Sequence, residues 1–195
     1  MKSFTTILLG AFLSGTALAG SPSRTLANHT IVEMTYSGPI TPGGQHIEFT
    51  GHSIQDIHSQ ILALNPDFKL NDPAASTTPA TSKRSKEDSS IICDIPGRLS
   101  ETATTDWIRS GISYLKGLDG NCGVTAGPAA CARISCSYDS GIYLCNDNKK
   151  RLNVKCSKLA AYAEDIIEKC DGGEYVNGQE FDTDNFNIVV AGDVC

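Results

Sequence analysis

No histidine follows His58, and no cysteine precedes Cys93. These two absences divide the chain. Its four histidines, His29, His46, His52 and His58, all lie in the first third. Everything beyond them therefore lacks the Ser-His or Cys-His pair, the usual imidazole general base, and imidazole metal ligands. The eight cysteines, Cys93, Cys122, Cys131, Cys136, Cys145, Cys156, Cys170 and Cys195, include no CxxC pair. Their spacings are not those of zinc ligands. The glycine-rich stretch 117–131 has neither GxGxxG nor Walker spacing, so it does not read as a phosphate cradle. Asp182-Thr183-Asp184 opens like a calcium loop, but Asn187 stands where the loop needs glycine and the closing glutamate is missing. No metal and no cofactor is expected.

A long apolar run is also lacking. The stretch Phe4–Leu13 is too short to span a bilayer, and no later stretch approaches about 20 apolar residues. With Lys2 before it and Ala17-Leu18-Ala19 after it, it reads as a secretory signal peptide over residues 1–19, cut after Ala19. Basic character is scarce as well: the net charge is −6. Residues 85–195 hold 11 Lys and Arg against 17 Asp and Glu, the same −6. An acidic chain without a basic stripe argues against nucleic acid and against anionic membranes. The one basic cluster, Lys149-Lys150-Arg151, reads as a solvated loop.

An even set of cysteines behind a signal peptide reads as a disulfide framework. Four bridges at about 2–4 kcal/mol each match the whole stability of a small domain. Eight cysteines allow roughly a hundred pairings, and connectivity is left open.

Residues 20–69 read as a ββα unit. Val32, Met34 and Tyr36 alternate with polar neighbours, and His46–Thr50 carries Ile47 and Phe49 on one face. Ser53 caps a helix bearing Ile54, Ile57, Ile61 and Leu64, which Asn65-Pro66 ends. So small a unit must pack on another surface. Residues 70–92 are rich in Ser, Thr, Ala and Pro and read as a linker without order. Inside it, Lys83-Arg84 is a dibasic site of the kind cut by Kex2-type proteases, which favour exposed polar segments. Residues 20–84 thus form a pro-segment and 85–195 the mature product. The single sequon, Asn28-His29-Thr30, places a glycan on the pro-segment.

In the product, Ser100–Leu118 reads as a helix with Ile108, Ile112 and Leu115 in one stripe and Trp107 beside it. Ile134, Cys136 and Tyr138 alternate as a strand, Ser140-Gly141 reverses it, and Ile142–Cys145 returns. A two-residue loop there sets Tyr138 opposite Tyr143 and Cys136 opposite Cys145. A second helix runs from Ser157 to Lys169, and Gly172-Gly173 stops it. Tyr175–Phe181 and the alternating Phe186, Ile188 and Val190 give two more strands. The order α-β-β-α-β-β predicts an α+β fold, two helices packed on a small antiparallel sheet. Tyr138, Tyr143 and Tyr175 are candidates for a binding face or for sheet packing. Glu164, Glu168, Glu174 and Glu180 are candidates, by type, for a carboxylate-dependent hydrolase.

The helix, the Ile134-Ser135-Cys136 strand, the Gly141-Ile142 restart, the helix closed by Cys170 and Gly172-Gly173, and the terminal Cys195 together resemble small secreted fungal effector proteins. More loosely, they resemble the α/β-sandwich killer toxins of smut fungi. The likeness spans roughly Cys93–Cys195. It implies a virulence protein or toxin that acts without catalysis on a host or competitor protein or a cell-surface target; an inhibitor of host enzymes is the variant of the same idea. Such toxins are basic, whereas this product is acidic, and no toxic-site residue of theirs matches a position here. Denaturing mass analysis of the protein from culture medium should show a product that begins at Ser85. Finding only chains in which 20–84 and 85–195 remain joined would count against processing.

Overall fold

The computed structural model describes residues 26, 29–72, 86–94 and 101–195, with backbone alone for 86–90. Ala19, Asn28, Lys83 and Arg84 lie outside the described residues.

The first unit comprises β1 (Thr30–Val32), β2 (Met34–Pro39), β3 (His46–Gly51) and α1 (Ile54–Leu64). The strand expected through Val32–Tyr36 is split at Glu33, and its halves join different sheets. Ser53 caps α1 by accepting from the Asp56 amide, and Asn65 closes it. Ile54, Ile57 and Ile61 are buried, while Leu64 is exposed.

After residue 85 come β4 (Lys86–Cys93), β5 (Ala103–Thr104), α2 (Thr105–Lys116), β6 (Asn121–Val124), β7 (Ala130–Ser137), β8 (Ser140–Asn146) and β9 (Leu152–Lys155). Then follow α3 (Cys156–Cys170), β10 (Tyr175–Val176), β11 (Gly178–Asp182) and β12 (Phe186–Gly192). One sheet has six strands in the order β1-β7-β8-β12-β11-β4; β1 lies parallel to β7 and its other pairs are antiparallel. A second has the order β3-β2-β6-β9, and β10 pairs with β5 as a third. Helices α2 and α3 pack on each other and on the six-stranded sheet.

Two helices on a small antiparallel sheet is therefore the wrong fold. The described residues form twelve strands and three helices, a mainly β protein. Four stretches hid strands, and one of them, Ala103–Thr104, lies where a helix was expected from Ser100: it pairs with β10, and α2 starts only at Thr105. Lys86–Cys93 is polar enough to read as linker, yet β11 supplies its hydrogen bonds and Cys93 is bonded to Cys170. Asn121–Val124 sits in a glycine-rich stretch but pairs on both edges, with β2 and with β9. Leu152–Lys155 is too short to show a period.

One core joins the two parts of the chain. Met34, Tyr36, Phe49, Ile54, Ile57 and Ile61 share a buried cluster with Ile108, Leu115, Val124, Ile134, Leu144, Ile166 and Val190. Burial is worth about 1.5–3 kcal/mol for each large apolar side chain. The apolar face of α1 thus finds its partner in the cysteine-bearing part.

The cysteines pair as Cys93–Cys170, Cys122–Cys156, Cys131–Cys145 and Cys136–Cys195. The expected Cys136 and Cys145 facing does not occur, because the hairpin turns two residues earlier than Ser140-Gly141. Ser137 opposes Ser140, and the turn is Tyr138-Asp139, both at positive φ, 46° and 56°. Positive φ at both central residues matches the right-handed twist of the strands. The shift brings Cys145 opposite Cys131 and Gly141 opposite Cys136. Gly141 serves a close approach instead of a turn: a Cβ there would lie 2.9 Å from the Tyr143 ring.

Where α1 meets α2, the Tyr114 hydroxyl hydrogen-bonds the His58 Nδ1, and Phe68 meets the His58 ring edge-on. Burial lowers the His58 pKa below its ordinary 6.5 and pushes Tyr114 up to about 12. The unfolded chain then takes up a proton near pH 6.5 that the folded imidazole refuses. This contribution to stability is complete above that pH and shrinks as pH falls below it. Denaturant unfolding should show stability dropping from pH 7 towards pH 5, and His58→Gln should flatten the drop. An equal slope in both proteins would remove His58 as its source.

Candidate functional site

The β7–β8 turn carries the most exposed aromatic side chain of the described residues. Tyr138 is 71% exposed and stacks on Trp107, 38% exposed, with ring centroids 3.9 Å apart and planes 17° apart. Trp107 stands in the first turn of α2, off the stripe of Ile108, Ile112 and Leu115 that faces the core. Tyr175, half exposed, lies on β10 opposite Thr104, the residue that precedes α2.

The base under this stack is braced from several sides. Ser140 Oγ accepts from the Thr104 amide at 3.0 Å and donates to the Tyr138 carbonyl at 3.2 Å, tying the turn to the start of α2. The Asp193 amide donates to the Asp139 carbonyl at 3.0 Å. Arg133 reaches the Asp193 carboxylate and the Val194 carbonyl, each at 2.9 Å. Cys136, just before the turn, is bonded to the terminal Cys195. Two aromatic rings thus project from a fixed base, with exposed Val194 on the strap that holds it. Flat side chains ordered in advance give up little entropy on binding, and Trp and Tyr dominate recognition energies for this reason.

Of the expected tyrosine face, Tyr138 and Tyr175 reach solvent. Tyr143 does not: it is fully buried with Cys131, Cys145, Val189 and Ala191. Side chains alternate along β8, and the changed turn moved Tyr143 out of register with Tyr138. Trp107 was the missing member. A tryptophan beside a helical apolar stripe, not in it, is a sequence signal for an exposed ring.

The four glutamates do not gather. Glu164 and Glu168 lie exposed on α3, and Glu164 pairs with Lys116. Glu174 is exposed before β10, where its carbonyl accepts from the Thr105 amide. Glu180 is buried on β11, near Asp182, which accepts from the Tyr162 hydroxyl and lies 3.5 Å from Lys158. A cleft of about 650 Å³ elsewhere is lined by Pro39, Phe68, Asp67, Asp72, Gly117 and Asp119 among others, and by none of those glutamates. His29 lies within ligand reach of the Cys131 and Cys145 sulfurs, which are bonded to each other. No helix among the described residues is long and apolar enough to cross a membrane.

Comparison with protein-family models, with curated proteins and with solved structures yields no match. Trp107 is the sole tryptophan, so its fluorescence reports the stack directly. Tyr138→Ala should shift the emission to the red and raise quenching by acrylamide, with stability changed by less than about 1 kcal/mol. Unchanged emission and quenching would mean that the rings do not stack in solution.

Proposed function

We propose that this is a secreted protein, matured after Lys83-Arg84, that acts by binding and not by catalysis. It is a virulence effector or a killer-toxin-like protein whose partner is a host or competitor protein at the cell surface. The four disulfides are compatible with a small secreted, disulfide-rich protein made in an oxidising compartment. The observation that carries the binding reading is the stack of Trp107, on α2, with Tyr138, on a hairpin tip braced by Cys136–Cys195 and Arg133. The acidic net charge favours a partner with a basic rim around an apolar centre.

The test is a titration of labelled, oxidised protein onto intact cells of candidate hosts and competitors. Tyr138→Ala and Trp107→Ala should each weaken binding about tenfold or more. Glu164→Gln and Glu168→Gln should leave it unchanged. Saturable binding that ignores both aromatic substitutions would overturn this surface.

A further inference from the structure

We propose that residues 29–72 are not discarded on maturation: once the chain is cut, they stay bound to 86–195 as a second, non-covalent subunit. This rests on the processing reading above.

The two pieces are woven through both large sheets. Strand β2 pairs with β6 through Thr35↔Gly123, Tyr36↔Cys122 and Ser37↔Asn121. Strand β1 lies parallel to β7 through Thr30↔Ala130, Ile31↔Cys131 and Val32↔Ala132. Beyond Ala132 the outer edge of β7 is taken by α1: Gln55 donates to Ser135 Oγ at 3.0 Å and accepts from the Cys136 amide at 3.2 Å. Arg151 reaches Glu48 at 2.9 Å and Thr35 Oγ at 2.8 Å. The Asn71 amide donates to the Gly117 carbonyl at 2.8 Å.

Release would undo all of this together. Strand β6 would keep only β9, β7 would lose its outer cover, and the side of the core that holds Ile57 and Ile61 would meet water. Unpaired strand edges and an uncovered apolar face are the features that drive aggregation. The segment that satisfies them is already in place and needs no covalent tie. None is present, since all eight cysteines pair among themselves within 93–195. The cleft between Pro39 and Asp119 also takes walls from both pieces, so it would be lost if they separated.

The experiment uses the full oxidised chain with Lys83-Arg84 replaced by the recognition sequence of a rare-cutting protease. After complete cutting, confirmed under denaturing conditions, native mass spectrometry and gel filtration should find both pieces in one species of uncut size. Ile57→Ala in the cut protein should speed loss of the upstream piece about tenfold or more, since such core truncations weaken packing severely. Separation of the pieces with 86–195 still folded and soluble would overturn the proposal, and so would precipitation of 86–195 without its partner. The unaltered chain is treated in parallel with a Kex2-type protease. Resistance there counts against processing at Lys83-Arg84, while the engineered site still decides whether the pieces stay together.

Discussion

Strand β6 is only four residues long, yet both of its edges are occupied and its middle is bolted down. One edge takes β2 and the other takes β9, while Cys122 is bonded to Cys156 at the start of α3. So short a strand has little stability of its own; it forms because three elements close on it. Tyr36 shows how tight the closure is. Its ring is fully buried, and a Cβ on Gly120 would lie 2.4 Å from it. Burial, with the Asp119 charge nearby, pushes the Tyr36 phenol up to about 12, so the ring stays neutral where it sits. Through this strand, and through β7 beside β1, the cysteine-free part of the chain becomes structural material for the cysteine-bearing part.

The disulfides complement that arrangement. Each lies at a place where the sheets or helices would otherwise fray: β4 to the end of α3, β6 to its beginning, β7 to β8, and β7 to the chain terminus. The last of them works at the surface. With the Cys136–Cys195 bond, Arg133 and the Asp139 carbonyl all holding the terminus against the turn, the hairpin tip has a rigid base. Tyr138 can then sit at positive φ and still present its ring to Trp107. A recognition surface of two rings gains from such rigidity, because the ordering cost is met in folding and not on binding.

The helices were the most legible part of the sequence. The apolar spacing of α1, with Ser53 before it and Asn65-Pro66 after it, gives its bounds almost to the residue. The buried stripes of α2 and α3 were legible too, since a period of 3.6 over three or more turns is hard to mimic by chance, but the helix expected from Ser100 begins only at Thr105. Longer strands with clear alternation, β3 and β12, were also readable. The hairpin was half readable: both strands are there, but the glycine that pointed to a turn is explained by the Tyr143 ring. The aromatic site was legible only through Tyr138 and Tyr175. Trp107 joins them by way of the hairpin's position against α2, which no local pattern encodes.

By itself the amino-acid sequence determined the cysteine framework as a class, the helical faces, the acidic balance and the division into a histidine-bearing and a cysteine-bearing part. These are properties of composition and short-range period. Tertiary structure alone decided which cysteines meet, that Lys86–Cys93 and Asn121–Val124 are strands, and that β2 completes the sheet of β6 and β9. The reason is physical: a short or polar strand has no preference of its own strong enough to show, and it takes its form from the edge that supplies its hydrogen bonds.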